Sequence, residues 1–339
     1  MSNFKNNKSL YWNRTESIGG PTKREAIWKK NKATLWYYPS QNKQFKEPLF
    51  LIYSLVNQPF ILDLYPGASM IESFVNNGYD VYLLDFGIPG YEDKDITVDQ
   101  YIVDYIQNAV RRSLRHASAT EVSIIGYCLG GTFAAVYAAI ADEPIKNLIL
   151  DVTPVDFSEL NQYDQLMKDF RKGELQVDEI IDAYGIIPAI FMKVGVRMIT
   201  SPVYYSRYLA LLNKYDDKNY VEKWHRFNDW AEGHIPFAGA ALKQLINDFV
   251  RENKLIKGKI KINGRPVHLE NITANLLVIS AKDDKLVPES QTYPIMNLVS
   301  SRDKTYKLVS GGHTSMSFKN VGLPEPLDEW LPKRSTRLK

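Results

Sequence analysis

One cysteine, Cys128, stands in 339 residues. A single thiol excludes an internal disulfide and any multi-cysteine metal centre, so no metal site is expected and a reducing, cytoplasmic setting fits. Charge of one sign is also lacking. Forty-two Lys and Arg against 39 Asp and Glu leave +3, too little to argue for a nucleic-acid partner. The first twenty residues, MSNFKNNKSLYWNRTESIGG, hold no apolar run of the kind a signal peptide needs. Long hydrophobic runs are scarce too. One stretch, Val122 to Ala141, runs twenty residues without a charge, enough to span a bilayer. Gly126, Gly130 and Gly131 near its centre and its β-branched first part favour a buried strand, a tight turn and a buried helix instead. No membrane span is expected.

What is present is an alternation of short apolar runs with helical patterns, the mark of a mostly parallel sheet covered by helices. ATLWYY, PLFLIYSL, YDVYLLDFG, EVSIIG, KNLILDV, ANLLVISA and KTYKLVSG read as strands. TVDQYIVDYIQNAVRRSLRHAS has apolar residues at helical spacing, and Thr97 with Gln100 makes a capping-box pattern at its start. The alternation breaks between about Asp156 and Lys257, a region helical in pattern and rich in aromatics such as Tyr184, Phe191, Trp224 and Trp230. Most of these side chains individually read as the core of a helical cluster. The segment as a whole suggests a lid. Asn263-Gly264 then marks a tight hairpin, with Lys259 and Lys261 placed as if to protect an edge strand.

The lone cysteine sits in GYCLGG, after an apolar strand and immediately before TFAAVYAAIA. A nucleophile elbow needs this order: strand, sharp turn holding the nucleophile, helix starting at once, and small residues that let strand and helix pass closely. Cys128 occupies the position that carries serine in the hydrolase pattern G-x-S-x-G, and a helix N-terminus there favours a thiolate. Taken alone, the motif suits a structural buried thiol equally well. Two strand ends add to it. LLVISAKDDKLVP closes a strand with Asp283 and Asp284, and YKLVSGGHTSM closes the next with His313. Nucleophile, acid, histidine is the chain order of the α/β-hydrolase fold. His313 would take the thiol proton, and the acid would hold its imidazole in the right tautomer. The backbone N–H of Leu129, with a second donor from SLVNQP taken as that of Val56, would form an oxyanion hole. The expected organisation is an α/β-hydrolase core over residues 1–155 and 258–339, with a polar extension over about 1–20 and a helical lid over 156–257.

With these residues in view, the chain resembles polyhydroxyalkanoate synthases, especially the short two-subunit kind. The matching stretches include LIYSLVNQPFILDLYPG, YDVYLLDFGIPG, GYCLGGT, TPVDF, HIPFAGAALKQLINDF and YKLVSGGH, spread from about residue 20 to residue 320. The resemblance implies Cys128 as nucleophile, Asp284 rather than Asp283 as acid, since it is the acid that precedes the K-L-V-P segment, and His313 as base. It further implies a template-free polymerase that takes (R)-3-hydroxyacyl groups from coenzyme A onto the cysteine and passes them to a growing polyester. No separate cofactor is expected, because the CoA thioester is the substrate. A small second subunit, homodimerisation and a place at the surface of polyester granules come with the family. Lys285, where many members have histidine, Phe86, where tryptophan is usual, and a short N-terminal extension depart from the pattern. The competing readings are a cysteine thioesterase, esterase or polyester depolymerase on the same scaffold, and a non-catalytic granule- or partner-binding homologue.

Overall fold

Parallel strands covered on both faces must be apolar along their whole length, and the centre of this chain's sheet obeys that rule. The computed structural model describes residues 20–158, 177–317 and 322–338. Eight strands form the main sheet: β1 (Glu25–Lys30), β2 (Ala33–Tyr38), β3 (Leu49–Ile52), β4 (Val81–Asp85), β5 (Val122–Tyr127), β6 (Ile145–Asp151), β7 (Asn275–Ala281) and β8 (Lys304–Val309). Their spatial order is β1-β2-β4-β3-β5-β6-β7-β8. The pairs β1–β2 and β2–β4 are antiparallel, and the rest are parallel. Strands β3 and β5 are buried at every position. Two apolar clusters cover the sheet. One holds Phe50, Leu84, Val110, Phe133 and Leu148, and the other holds Leu51, Phe74, Ile125, Ile149 and Ile279.

The uncharged stretch from Val122 to Ala141 divides as expected into β5, a one-residue turn at Cys128 and the buried helix Leu129–Ile140. Among the described residues no helix is long and apolar enough to cross a membrane. The helix after Thr97 also forms, with both halves of the capping box made: the Gln100 N–H donates to Thr97 Oγ1 (3.3 Å) and the Thr97 N–H to Gln100 Oε1 (3.0 Å). Residues Tyr101–Gln107 of that helix adopt wide π turns before α1 (Asn108–Ala117). The helix stops at Ser118, whose φ of 50° is left-handed.

Three details differ from the sequence expectation. β1 was not anticipated, because its burial is that of an edge strand and EAIWKK shows little apolar patterning. PLFLIYSL is a strand only to Ile52, since Tyr53 onward turns away to build a loop over the site. The Asn263-Gly264 hairpin forms, with φ of 47° and 78°, but joins two-residue strands that pair only with each other. Lys259 and Lys261 therefore guard no edge of the main sheet.

Between β6 and β7 the chain leaves the sheet. Of the expected lid, residues 159–176 lie outside the described residues, as does nearly all of the expected N-terminal extension. The remainder includes α2-following helices α3 (Val177–Tyr184), α4 (Ala189–Leu212) and α5 (Lys218–Glu232), where α2 denotes Leu129–Ile140. Asp217 caps α5 by accepting from the Tyr220 N–H at 3.0 Å. Tyr208 of α4 meets Trp224 of α5 edge-on at 5.3 Å. Glu232, at the end of α5, gathers Lys193, Arg197 and Arg207 of α4, each at 2.5 Å.

Candidate active site

Strand β5 delivers its chain end to the carboxyl edge of the sheet, and α2 begins on the next residue but one. Cys128 between them has φ 53° and ψ −127°, a conformation that costs a non-glycine residue on the order of 1–3 kcal/mol. Surrounding structure holds it there. The Cys128 N–H donates to the Asp151 carbonyl (3.0 Å), and its own carbonyl accepts from the Gly131 N–H (2.9 Å). Small residues are needed at this crossing. A Cβ on Gly126 would sit 2.5 Å from the Gly131 Cα, and one on Gly130 would strike the Ile52 carbonyl at the end of β3. The cysteine is half-buried at the first turn of α2. Leu129, beginning the helix, has an N–H among the four that no intrahelical acceptor can satisfy.

The two adjacent acids after β7 have different surroundings. Asp283 is exposed. Asp284 is buried, its Oδ1 accepting from the N–H groups of Leu286 (2.8 Å) and Val287 (2.9 Å) and its Oδ2 lying 2.7 Å from His313 Nδ1. Cys128 stands close enough to the His313 ring to act on it electrostatically. Burial works to lower the imidazole pKa, but Asp284 and Cys128 outweigh it and hold it well above its ordinary value. Cys128, Asp284 and His313 therefore meet at one end of the sheet although 185 residues separate the first from the last by number.

Tyr127 contributes more to this arrangement than its place as the variable residue of G-x-C suggests. Its hydroxyl donates to the His313 carbonyl at 2.7 Å, and its ring lies edge-on to the imidazole at 5.4 Å. Tyr53 stacks on Tyr127 at 5.3 Å. The loop after β3 is tied to the end of α5. Asn57 Nδ2 donates to the Trp230 carbonyl (2.7 Å), the Trp230 indole donates to the Gln58 carbonyl (3.1 Å), and the Ile235 N–H donates to the Val56 carbonyl (3.4 Å). The Val56 N–H donates to Ser54 Oγ at 3.2 Å. To serve an oxyanion it would have to leave that hydroxyl.

Sequence reasoning did not single out Tyr53, Tyr127 or Asn57, and placed Trp230 only among the aromatics of the helical segment; these residues position the loops. Asp151 was missed as well, though an acid ending the apolar strand KNLILD was a readable signal. The other histidines stand in different roles: His116 bonds the Tyr82 hydroxyl at 2.9 Å, and burial lowers His234 to about 4. Among the described residues no cluster of three or more His, Cys, Asp or Glu is placed to hold a metal ion.

Residues 47–319 match the family model described as alpha/beta hydrolase fold, a span holding the whole parallel part of the sheet and all three site residues. The chain belongs to the α/β-hydrolase family. Solved structures agree on this fold. A soluble variant of monoglyceride lipase from Saccharomyces cerevisiae superposes with TM-score 0.61 at 16% identity, covering 96% of this chain and 99% of that one. MenH from S. aureus gives 0.52 at 19% identity, covering 84% and 92%. Among curated proteins, this α/β-hydrolase is similar to proteins named poly(3-hydroxyalkanoate) polymerase subunit PhaC. The one from Haloferax mediterranei is 30% identical over 93% of this chain and 65% of its own length. Those from Synechocystis sp. and Allochromatium vinosum are each 29% identical over 93% of this chain, and the match covers 85% and 90% of their lengths.

Proposed function

We propose that this α/β-hydrolase is a polyhydroxyalkanoate polymerase subunit that transfers (R)-3-hydroxyacyl groups from coenzyme A to a growing polyester through Cys128. The observation that carries the reading is the similarity to PhaC subunits over 93% of this chain, with a cysteine at the nucleophile elbow. Thiols exchange thioesters readily, because the bond broken and the bond formed are alike, so an acyl group loads onto Cys128 at little cost.

In the first half-reaction Cys128 Sγ attacks the thioester carbonyl while His313 takes the thiol proton. CoA departs as its thiolate and recovers that proton from His313. In the second, the hydroxyl of a bound acyl unit gives its proton to His313 and its oxygen attacks the Cys128 thioester, forming the ester and returning the cysteine. Asp284 orients the imidazole and favours its charged form. Negative charge on the tetrahedral intermediates falls beside the Leu129 N–H, and losing one such donor typically costs about 10²–10³ in rate. CoA enters as part of the substrate and no further cofactor is needed. The helices from Val177 to Glu232 form a lid that limits water at the acyl-enzyme. The word subunit in the relatives' names supports a second chain as partner, and the polyester product would collect as a granule at whose surface the protein works.

The test is incubation of the purified protein with (R)-3-hydroxybutyryl-CoA, with and without a candidate second subunit, following thiol release and turbidity together. Thiol release with turbidity, both lost in Cys128→Ala, supports the proposal. Thiol release with soluble hydroxybutyrate alone makes the protein a thioesterase.

A further inference from the structure

Asp151 ends β6 with its backbone carbonyl bonded to the nucleophile's N–H, and its side chain has no comparable partner. The residue is 2% exposed, and neither carboxyl oxygen has a hydrogen bond. Buried polar groups are nearly always paired, so an orphaned carboxyl asks for an explanation. In the sheet Asp151 lies opposite Tyr127 on β5 and Ile279 on β7. The ionisable groups facing it are Tyr127, and, from the loops after β7 and β8, Asp284 and His313. Cys128 stands at the adjoining turn, bonded to its backbone.

We propose that Asp151 is a fourth functional side chain of this site, a buried acid that sets how tightly His313 holds its proton. The proposal rests on the reading of His313 as the site's base. Two carboxyl groups act on one imidazole, Asp284 by direct contact and Asp151 through its charge, and their surroundings divide the labour. Asp284 has two backbone N–H donors and the imidazole to stabilise its charge. Asp151 has none of these and holds its proton to higher pH than an ordinary carboxyl. Burial raises its pKa to about 7, with His313 pulling the other way and Asp284 adding to the rise. Below that point His313 faces one carboxylate. Above it His313 faces two, and its proton is held more tightly. Asp151 acts through His313 and touches no reacting atom, so it is a positioning residue whose effect is electrostatic.

The experiment is an NMR titration of His313 in histidine-labelled protein, wild type against Asp151→Asn, alongside the pH profile of thiol release from (R)-3-hydroxybutyryl-CoA. Asn keeps the shape and removes the charge. In the variant His313 is expected to lose its proton about one pH unit lower, the low end of what one nearby charge does, and the pH limb that tracks His313 moves down with it. Superimposable His313 curves in the two proteins would overturn the proposal. If Asp151→Asn does not fold, the wild type alone decides. Coupled ionisation of Asp151 gives His313 a curve of more than one step, and a single-step curve overturns the proposal. The titration needs no acyl transfer, so a thioesterase result would sink the polymerase reading and leave this one standing.

Discussion

The sheet edge and the helical segment above it are built on different principles. At the edge, Cys128, Asp284 and Tyr127 are held by backbone hydrogen bonds, close glycine crossings and stacked rings, with Asp284 and Tyr127 buried. In α4 the apolar side chains of Ile190, Phe191, Val194 and Leu209 are exposed, and α5 has no fully buried residue. Among the described residues its ties to the core are hydrogen bonds such as Asn57 to Trp230, Trp230 to Gln58, Arg226 to Leu64 and Tyr65 to Asn219. A rigid constellation can hold strained geometry and shifted pKa values, while a lightly tied cover can open without disturbing them. The division suits the proposed polymerase, whose product would be longer than its site.

Substitutions that break the edge should have the largest effects. Cys128→Ala is expected to lower thiol release by at least about 10⁴-fold with little change in melting temperature, read by a thiol assay and calorimetry on the same sample. Asp284→Asn should cost about as much, because the imidazole then loses the partner that fixes its tautomer. The accompanying His313 NMR titration should move to lower pH, since an attractive negative charge has gone. Loosening the cover should cost less. Trp230→Phe keeps the ring and deletes the bond to Gln58. We expect roughly 10-fold slower polymerisation and a larger share of hydrolysed acyl product, measured by chromatography, with stability reduced by about 1 kcal/mol. Unchanged partition between polymer and hydroxy acid would mean that the tie between α5 and the loop after β3 has no part in excluding water. Thr97→Ala touches neither region and should only lower stability by about 1 kcal/mol, seen in denaturant unfolding, with activity intact.

Stability against pH offers a quieter check on Asp151. Its folded pKa is raised above that of the unfolded chain, so the fold binds its proton more tightly. That contribution is present at acid pH and is lost as pH rises toward about 7. Asp151→Asn should therefore gain stability relative to wild type at pH 8 compared with pH 4, measured as the difference in melting temperature at the two values.

The features readable in the sequence were those set by local pattern. The apolar run before GYCLGG, the Thr97–Gln100 capping box and the Asn263-Gly264 turn each follow from a few consecutive residues, and each has its structural counterpart. β1 escaped because an edge strand has only weak burial to write into its sequence. Around the site, the elbow and two strand-ending polar clusters could be read in order along the chain. The choice between Asp283 and Asp284 could not be made from adjacency, and burial separates them only once β7 and β8 are paired. Tyr127, Tyr53 and Trp230 were illegible for the same reason. Their partners, His313, Tyr127 and Gln58, lie far along the chain, and an aromatic residue looks the same in sequence whether it fills a core or steadies a loop.

The most direct test of the central claim is intact-protein and peptide mass spectrometry after brief mixing with (R)-3-hydroxybutyryl-CoA. The account requires hydroxyacyl units attached at Cys128, growing in number with time and absent from Cys128→Ala. An adduct at another residue, or turnover to polymer with Cys128 replaced, would contradict it.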